Sequence, residues 1–155
     1  MKQYGVNVKI FQVDKNEETY EEEIVIGINT FKLNCFISDY LTEGDFVKGE
    51  MTEIQLSLMT TELDIINCGE KNIVSTEHFE AHCRLSGEIK EFFPIIYKYY
   101  KDGIWYDEEA TGYKHGIVDC GIFVAVQIPK KSDLKIGDYV KAEGRLDARK
   151  VKKEN

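Results

Sequence analysis

His78, His82 and Cys83 lie close together in the chain and are side chains of the kind that bind zinc. Whether they could share an ion depends on the backbone between them. On a helix, His78 and His82 would sit one turn apart on the same face. On a strand, four residues at ~3.3 Å each would separate the two imidazoles by roughly 13 Å, and Cys83 would point the other way. Phe79, Ala81, Cys83 and Leu85 alternate with polar residues, which is the period of a strand. No metal site is therefore expected, and no cofactor.

A nucleophilic cysteine is the second chemistry to consider. His115 precedes Cys120 by five residues. Cys83 and Cys120 are both in phase with apolar neighbours, where cysteine acts as a small buried hydrophobe. Asp119 would face away from Cys120. The chain has no Gly-rich phosphate loop, no Gly-x-Ser-x-Gly and no His-Glu-x-x-His. The acidic run Asp14, Glu17, Glu18, Glu21, Glu22, Glu23 lacks the ligand spacing of a calcium loop. No catalytic residue is assigned, and the chain is read as a non-enzymatic module, with an enzyme of unrecognised type as the remaining alternative.

The strongest functional signal is aromatic. Eight of the 18 aromatic residues fall between Phe92 and Tyr113, with Trp105 the only tryptophan. Such a segment could be a hydrophobic lid packed on the body of the fold. It could be a protein-binding patch, because Tyr and Trp combine large area with a polar tip. It could also stack nucleobases. Trp105 is expected to pack as a lid residue, and Tyr99, Tyr106 and Tyr113 to stand exposed. Together Tyr99, Trp105, Tyr106 and Tyr113 are the candidate partner-binding residues.

Charge narrows the partner. The 155 residues carry 20 basic and 28 acidic side chains, a formal net charge of −8. The last 27 residues are the exception, with nine basic side chains against five acidic, so residues 150–155 read as a basic tail. An acidic body favours a basic protein surface as partner. Nucleic acid is the weaker alternative, since phosphate backbones demand a concentrated basic footprint. No apolar run approaches the ~18 residues of a membrane-spanning helix, and the N-terminus lacks a secretory signal. A cytoplasmic protein with four unpaired cysteines (Cys35, Cys68, Cys83, Cys120) is expected.

The elements that must position these residues read as strands. Tyr4, Val6, Val8 and Ile10 alternate, as do Ile24, Ile26 and Ile28, and Phe31, Leu33, Cys35 and Ile37. Val118 to Ile128 alternates over eleven residues and reads as one strand. Val47, Gly49 and Met51 share one phase and Ile54, Leu56 and Leu58 the other, which predicts a bulge or sharp bend near Thr52-Glu53. A helix over Thr52–Leu63 competes with that reading, and Phe92–Tyr100 carries the only other helical stripe.

The chain also repeats itself. Phe31–Met51 and Phe123–Gly144 align as an apolar strand, a polar connection and a Gly-Asp-aromatic-Val-Lys-small-Glu run, beginning at Gly44 and Gly137. Half-repeats of 1–75 and 76–149 within one domain of 155 residues follow from this. The segments CRLSGEIKEF, GIVDCGIFVAVQIP and LKIGDYVKAEGRL resemble the strand grammar of OB-fold barrels, over about residues 78–149 and more faintly 6–58. The resemblance implies an all-β fold: a small OB-like barrel, or two related β-modules packed together with an internal pseudo-repeat. It carries over no functional residue, since such barrels bind oligonucleotides, oligosaccharides or proteins.

Overall fold

The computed structural model describes residues 4–19, 21–37, 46–76 and 81–151. They form nine strands: β1 (Val6–Lys15), β2 (Glu22–Ile28), β3 (Phe31–Ile37), β4 (Met51–Ile66), β5 (Asn72–Ser75), β6 (His82–Lys101), β7 (Ile104–Asp119), β8 (Phe123–Pro129) and β9 (Tyr139–Lys150). The fold is all-β, and among the described residues there is no α-helix. Thr52–Leu63 and Phe92–Tyr100 are both strand, because β-branched and aromatic side chains pack well on a pleated, half-buried surface.

All nine strands join one sheet that closes on itself. The order β1-β2-β3-β9-β4 returns to β1 through a β1–β4 pairing, and β9-β4-β8-β7-β6 returns to β9 through a β6–β9 pairing. Two five-stranded circuits thus share the long antiparallel β4–β9 ladder. The pairing scheme is the same in both. β1–β2–β3 and β6–β7–β8 are antiparallel meanders, β4 closes on β1 as β9 closes on β6, and the third strand of each meander lies parallel to the other circuit's closing strand. β5 adds to the outer edge of β6.

One face of every strand fills a common interior. Val8 and Ile10 meet Ile24, Ile26, Leu33 and Cys35 from the first circuit. Cys83, Leu85, Ile89, Val118, Val124 and Val126 come from the second. Ile54, Leu56 and Leu58 of β4, with Leu146 and Ala148 of β9, join the two into one cluster. The expected alternations in β1, β2 and β3 are therefore core-facing.

Three expectations are corrected. Val118–Ile128 is not one strand: β7 ends at Asp119, Cys120–Ile122 turn, and β8 begins at Phe123. Phe46–Glu50 is not strand either; Lys48-Gly49 turn, β4 starts at Met51, and Val47 and Met51 are exposed. The bulge in β4 lies between Thr60 and Glu62, opposite β9, and not at Thr52-Glu53. Gly44, Asp45, His78 and Phe79 lie outside the described residues, so the zinc reading of His78 and the Gly44-Asp45 half of the repeat are not addressed.

Candidate functional site: an aromatic ribbon

The aromatic segment is not an insertion between strands. It is the outer halves of β6 and β7, which run on past the sheet as a two-stranded ribbon. Pairing of Phe93 with His115 and Pro94 with Lys114 holds the base. The register then jumps to Ile96 opposite Glu109, so β7 holds extra residues around Gly112 and Tyr113. Pro94 has no N–H to continue the ladder, and β8 ends at Pro129 opposite Tyr113. Among the described residues only the ribbon continues beyond that point, for six pairs of residues or roughly 20 Å.

The tip is a two-residue turn between Lys101 and Ile104. Asp102 and Gly103 both have positive φ, 52° and 81°. Turns of this type match the right-handed twist of antiparallel strands, and Asp-Gly is a preferred pair for them.

Because cross-strand partners share a face, the ribbon carries aromatic side chains on both sides. Tyr99 stacks on Tyr106 on one face, with ring centroids 5.3 Å apart and planes 21° from parallel. Tyr97 and Ile104 lie on that same face. Tyr100 meets Trp105 edge-on at 5.3 Å on the other face, beside Ile96 and a 4.0 Å Lys98–Asp107 ion pair. Glu109 reaches back to Lys130 at 2.8 Å. The Tyr97 phenol titrates above its ordinary range, through local desolvation and a hydrogen bond to Glu108.

These rings are in solvent: Tyr100 is 61% exposed, Trp105 58%, Tyr97 46% and Tyr106 41%. The expectation that Trp105 forms a buried lid is therefore overturned. It sits next to the tip of a ribbon over which, among the described residues, no third strand lies. The packed part of the aromatic segment is its base. Phe92 packs against the core under Lys114, whose ammonium is 4.2 Å from the ring. Phe93 meets the edge of Tyr4, which also contacts Phe123 and hydrogen-bonds Glu91.

Of the four candidate residues, Tyr99, Trp105 and Tyr106 come together on the ribbon. Tyr113, 47% exposed, stands apart at the base opposite Pro129. Tyr97, Tyr100, Ile96 and Ile104 belong to the exposed set and were not among the candidates. The signal that finds them is Asp102-Gly103 between two aromatic runs, a hairpin signature that makes every flanking residue a cross-strand partner.

The cysteines are free, with Cys35, Cys83 and Cys120 buried and Cys68 exposed. Burial pushes the Cys83 and Cys120 thiols up to about 12, and Cys35 well above its ordinary value. None of these three buried thiols is poised as a nucleophile, which needs thiolate at neutral pH. Among the described residues no group of three or more His, Cys, Asp or Glu is placed to hold a metal ion. Nor is any helix there long and apolar enough to cross a membrane.

No family model, curated protein or solved structure matches this chain.

Proposed function

We propose that this chain is a non-enzymatic protein-interaction module that grips its partner with the β6–β7 ribbon. The observation that carries this reading is exposed aromatic area on both faces of one projecting ribbon. A lone apolar face could rest on the body of the fold; two faces cannot both do so. A two-sided arm suits a groove, where both faces are covered at once. Its cross-strand pairs hold the rings in place before binding, which lowers the entropy lost on association.

Charge selects the groove. Residues 96–109 carry two lysines against four carboxylates, on a chain of net charge −8. The matching partner is an apolar protein groove rimmed by basic side chains. The same charges argue against nucleic acid, since stacked bases bring phosphates with them.

We further read the framework as a pair of OB-type rings in which each closing strand also serves the other ring. Five strands per circuit is the OB strand number. The matching pairing schemes of β1–β4 and β6–β9 support an origin by duplication.

Trp105, as the sole tryptophan, makes the test direct. A photo-cross-linking residue at Tyr100 should capture a protein that the same residue at Met51, also exposed, does not. Shortening the ribbon to a two-residue hairpin above Ile96 should abolish the adduct. Tight, salt-sensitive quenching of Trp105 by single-stranded DNA would instead make this a nucleic-acid binder and sink the reading.

A further inference from the structure

The outer face of the β4–β9 ladder is polar where it should be solvated, yet it is covered. Gln55 opposes Arg149, and Ser57 opposes Asp147, on the side away from the core. Gln55 is only 8% exposed and Asp147 only 7%. The base of the aromatic ribbon faces them, and between the two lies a cleft of about 300 Å³. Its polar lining is Gln55, Ser57, His115, Asp147 and Arg149, and its apolar wall is Pro94–Ile96 with Ala125.

The charges in this cleft do not cancel. Both oxygens of Asp147 are taken by Arg145, at 2.7 and 3.0 Å, so that carboxylate is already neutralised. Arg149 donates through one terminal nitrogen to the Gln55 side-chain oxygen at 2.6 Å and is otherwise exposed at the mouth. A guanidinium has five N–H donors, so most of the fork remains for a ligand. Burial and the neighbouring Arg149 lower the pKa of His115, leaving a neutral imidazole at physiological pH. Among the described residues the cleft therefore holds one uncancelled positive charge, a hydroxyl, an imidazole and an apolar wall, on a chain of net charge −8.

We propose that this cleft binds a small organic monoanion: a carboxylate held by the Arg149 fork and Ser57, on an apolar body lying against Pro94–Ile96 and Ala125. A planar carboxylate matches the guanidinium two-point geometry. A phosphate dianion fits less well, because among the described lining residues its second charge meets no second uncommitted cation. The site is separate from the aromatic tip and does not depend on the ribbon's role as a docking arm.

Benzoate, benzamide and phenyl phosphate are the probes, read by NMR through the His115 ring signals of the full chain. Benzoate is expected to move those signals saturably, and benzamide, its uncharged isostere, to leave them in place. R149Q should weaken benzoate about tenfold or more, as loss of a charge-assisted fork implies, with R149K in between. Thermal unfolding of each variant checks that the exposed Arg149 has been replaced without loss of fold. The proposal is overturned if benzoate leaves His115 unmoved, if R149Q binds it as well as the parent, or if benzamide binds equally. Tighter binding of phenyl phosphate than benzoate would overturn the choice of a monoanion.

Discussion

Tyr99 and Tyr106 face each other across the β6–β7 ribbon as a stacked pair, 37% and 41% exposed. A cross-strand aromatic pair contributes about 0.2–1 kcal/mol, and a two-stranded ribbon is only marginally stable by itself. The double variant Y99A/Y106A should therefore fray the ribbon and leave the body intact. Hydrogen exchange should show lost amide protection from Ile96 to Glu109, while the stability read from global unfolding in urea moves by less than about 1 kcal/mol. A loss of several kcal/mol would mean that the body of the fold packs on the rings.

Gly144 lies where the β4–β9 ladder kinks. A Cβ there would stand 2.1 Å from the Met59 carbonyl oxygen, which is backbone and cannot swing aside. Gly144→Ala should destabilise by at least about 1–3 kcal/mol, the usual cost of overpacking. Gly112 lies in the irregular part of β7, and a Cβ added there would meet nothing within 4 Å, so Gly112→Ala should be nearly neutral. Denaturant titration of the two variants side by side tests the kink.

The thiols should divide one against three. In the native protein a disulfide reagent should modify Cys68 quickly and Cys35, Cys83 and Cys120 only on unfolding. Alkali provides a second reading. The buried thiols keep their protons to about 12, or beyond the ordinary range for Cys35, whereas unfolded thiols lose theirs near 8.5. Their stabilisation is complete below the unfolded value and is lost as pH rises from there toward the folded one, by about 1.4 kcal/mol per pH unit per thiol. C120A should flatten that alkaline slope.

His115 should act at the other end of the pH scale. Burial first, and Arg149 second, hold its folded pKa below that of an unfolded histidine, near 6.5. Between the two values the unfolded chain carries the extra proton. The contribution is therefore at its most favourable above about 6.5 and is lost as pH falls through the folded value. Arg149 and the Asp147–Arg145 pair are the charges that face it in the cleft. The difference in unfolding free energy between H115Q and the parent, followed from pH 8 to 5, should show this slope; a flat difference would place the imidazole in open water.

The individual strands were legible from alternation, yet that same signal concealed a turn. Asp119 pairs with Phe123 and Val118 with Val124, so even-numbered residues stay inward on both arms of the β7–β8 hairpin. A three-residue turn that preserves parity leaves the pattern of Val118–Ile128 looking like one strand. At the ribbon tip the opposite holds: a two-residue turn exchanges the phase, which is why Tyr100 meets Trp105.

What the amino-acid order determined by itself is local: the apolar alternation of the strands, the Asp-Gly turn, the Gly-Asp repeat and the aromatic cluster between Phe92 and Tyr113. These depend on the two-residue period of a strand and on the backbone freedom of single residues. What only the tertiary structure decided is which edges pair and what remains uncovered. The sharing of β4 and β9 between two circuits depends on partners far apart in the chain. So does the exposure of Trp105, because a tryptophan is a lid or an arm according to whether a third strand covers it, and here β8 stops at Pro129 before reaching it. The polar cleft has the same origin: Gln55, His115 and Arg149 acquire a shared chemistry only when the β6–β7 base folds over the β4–β9 ladder.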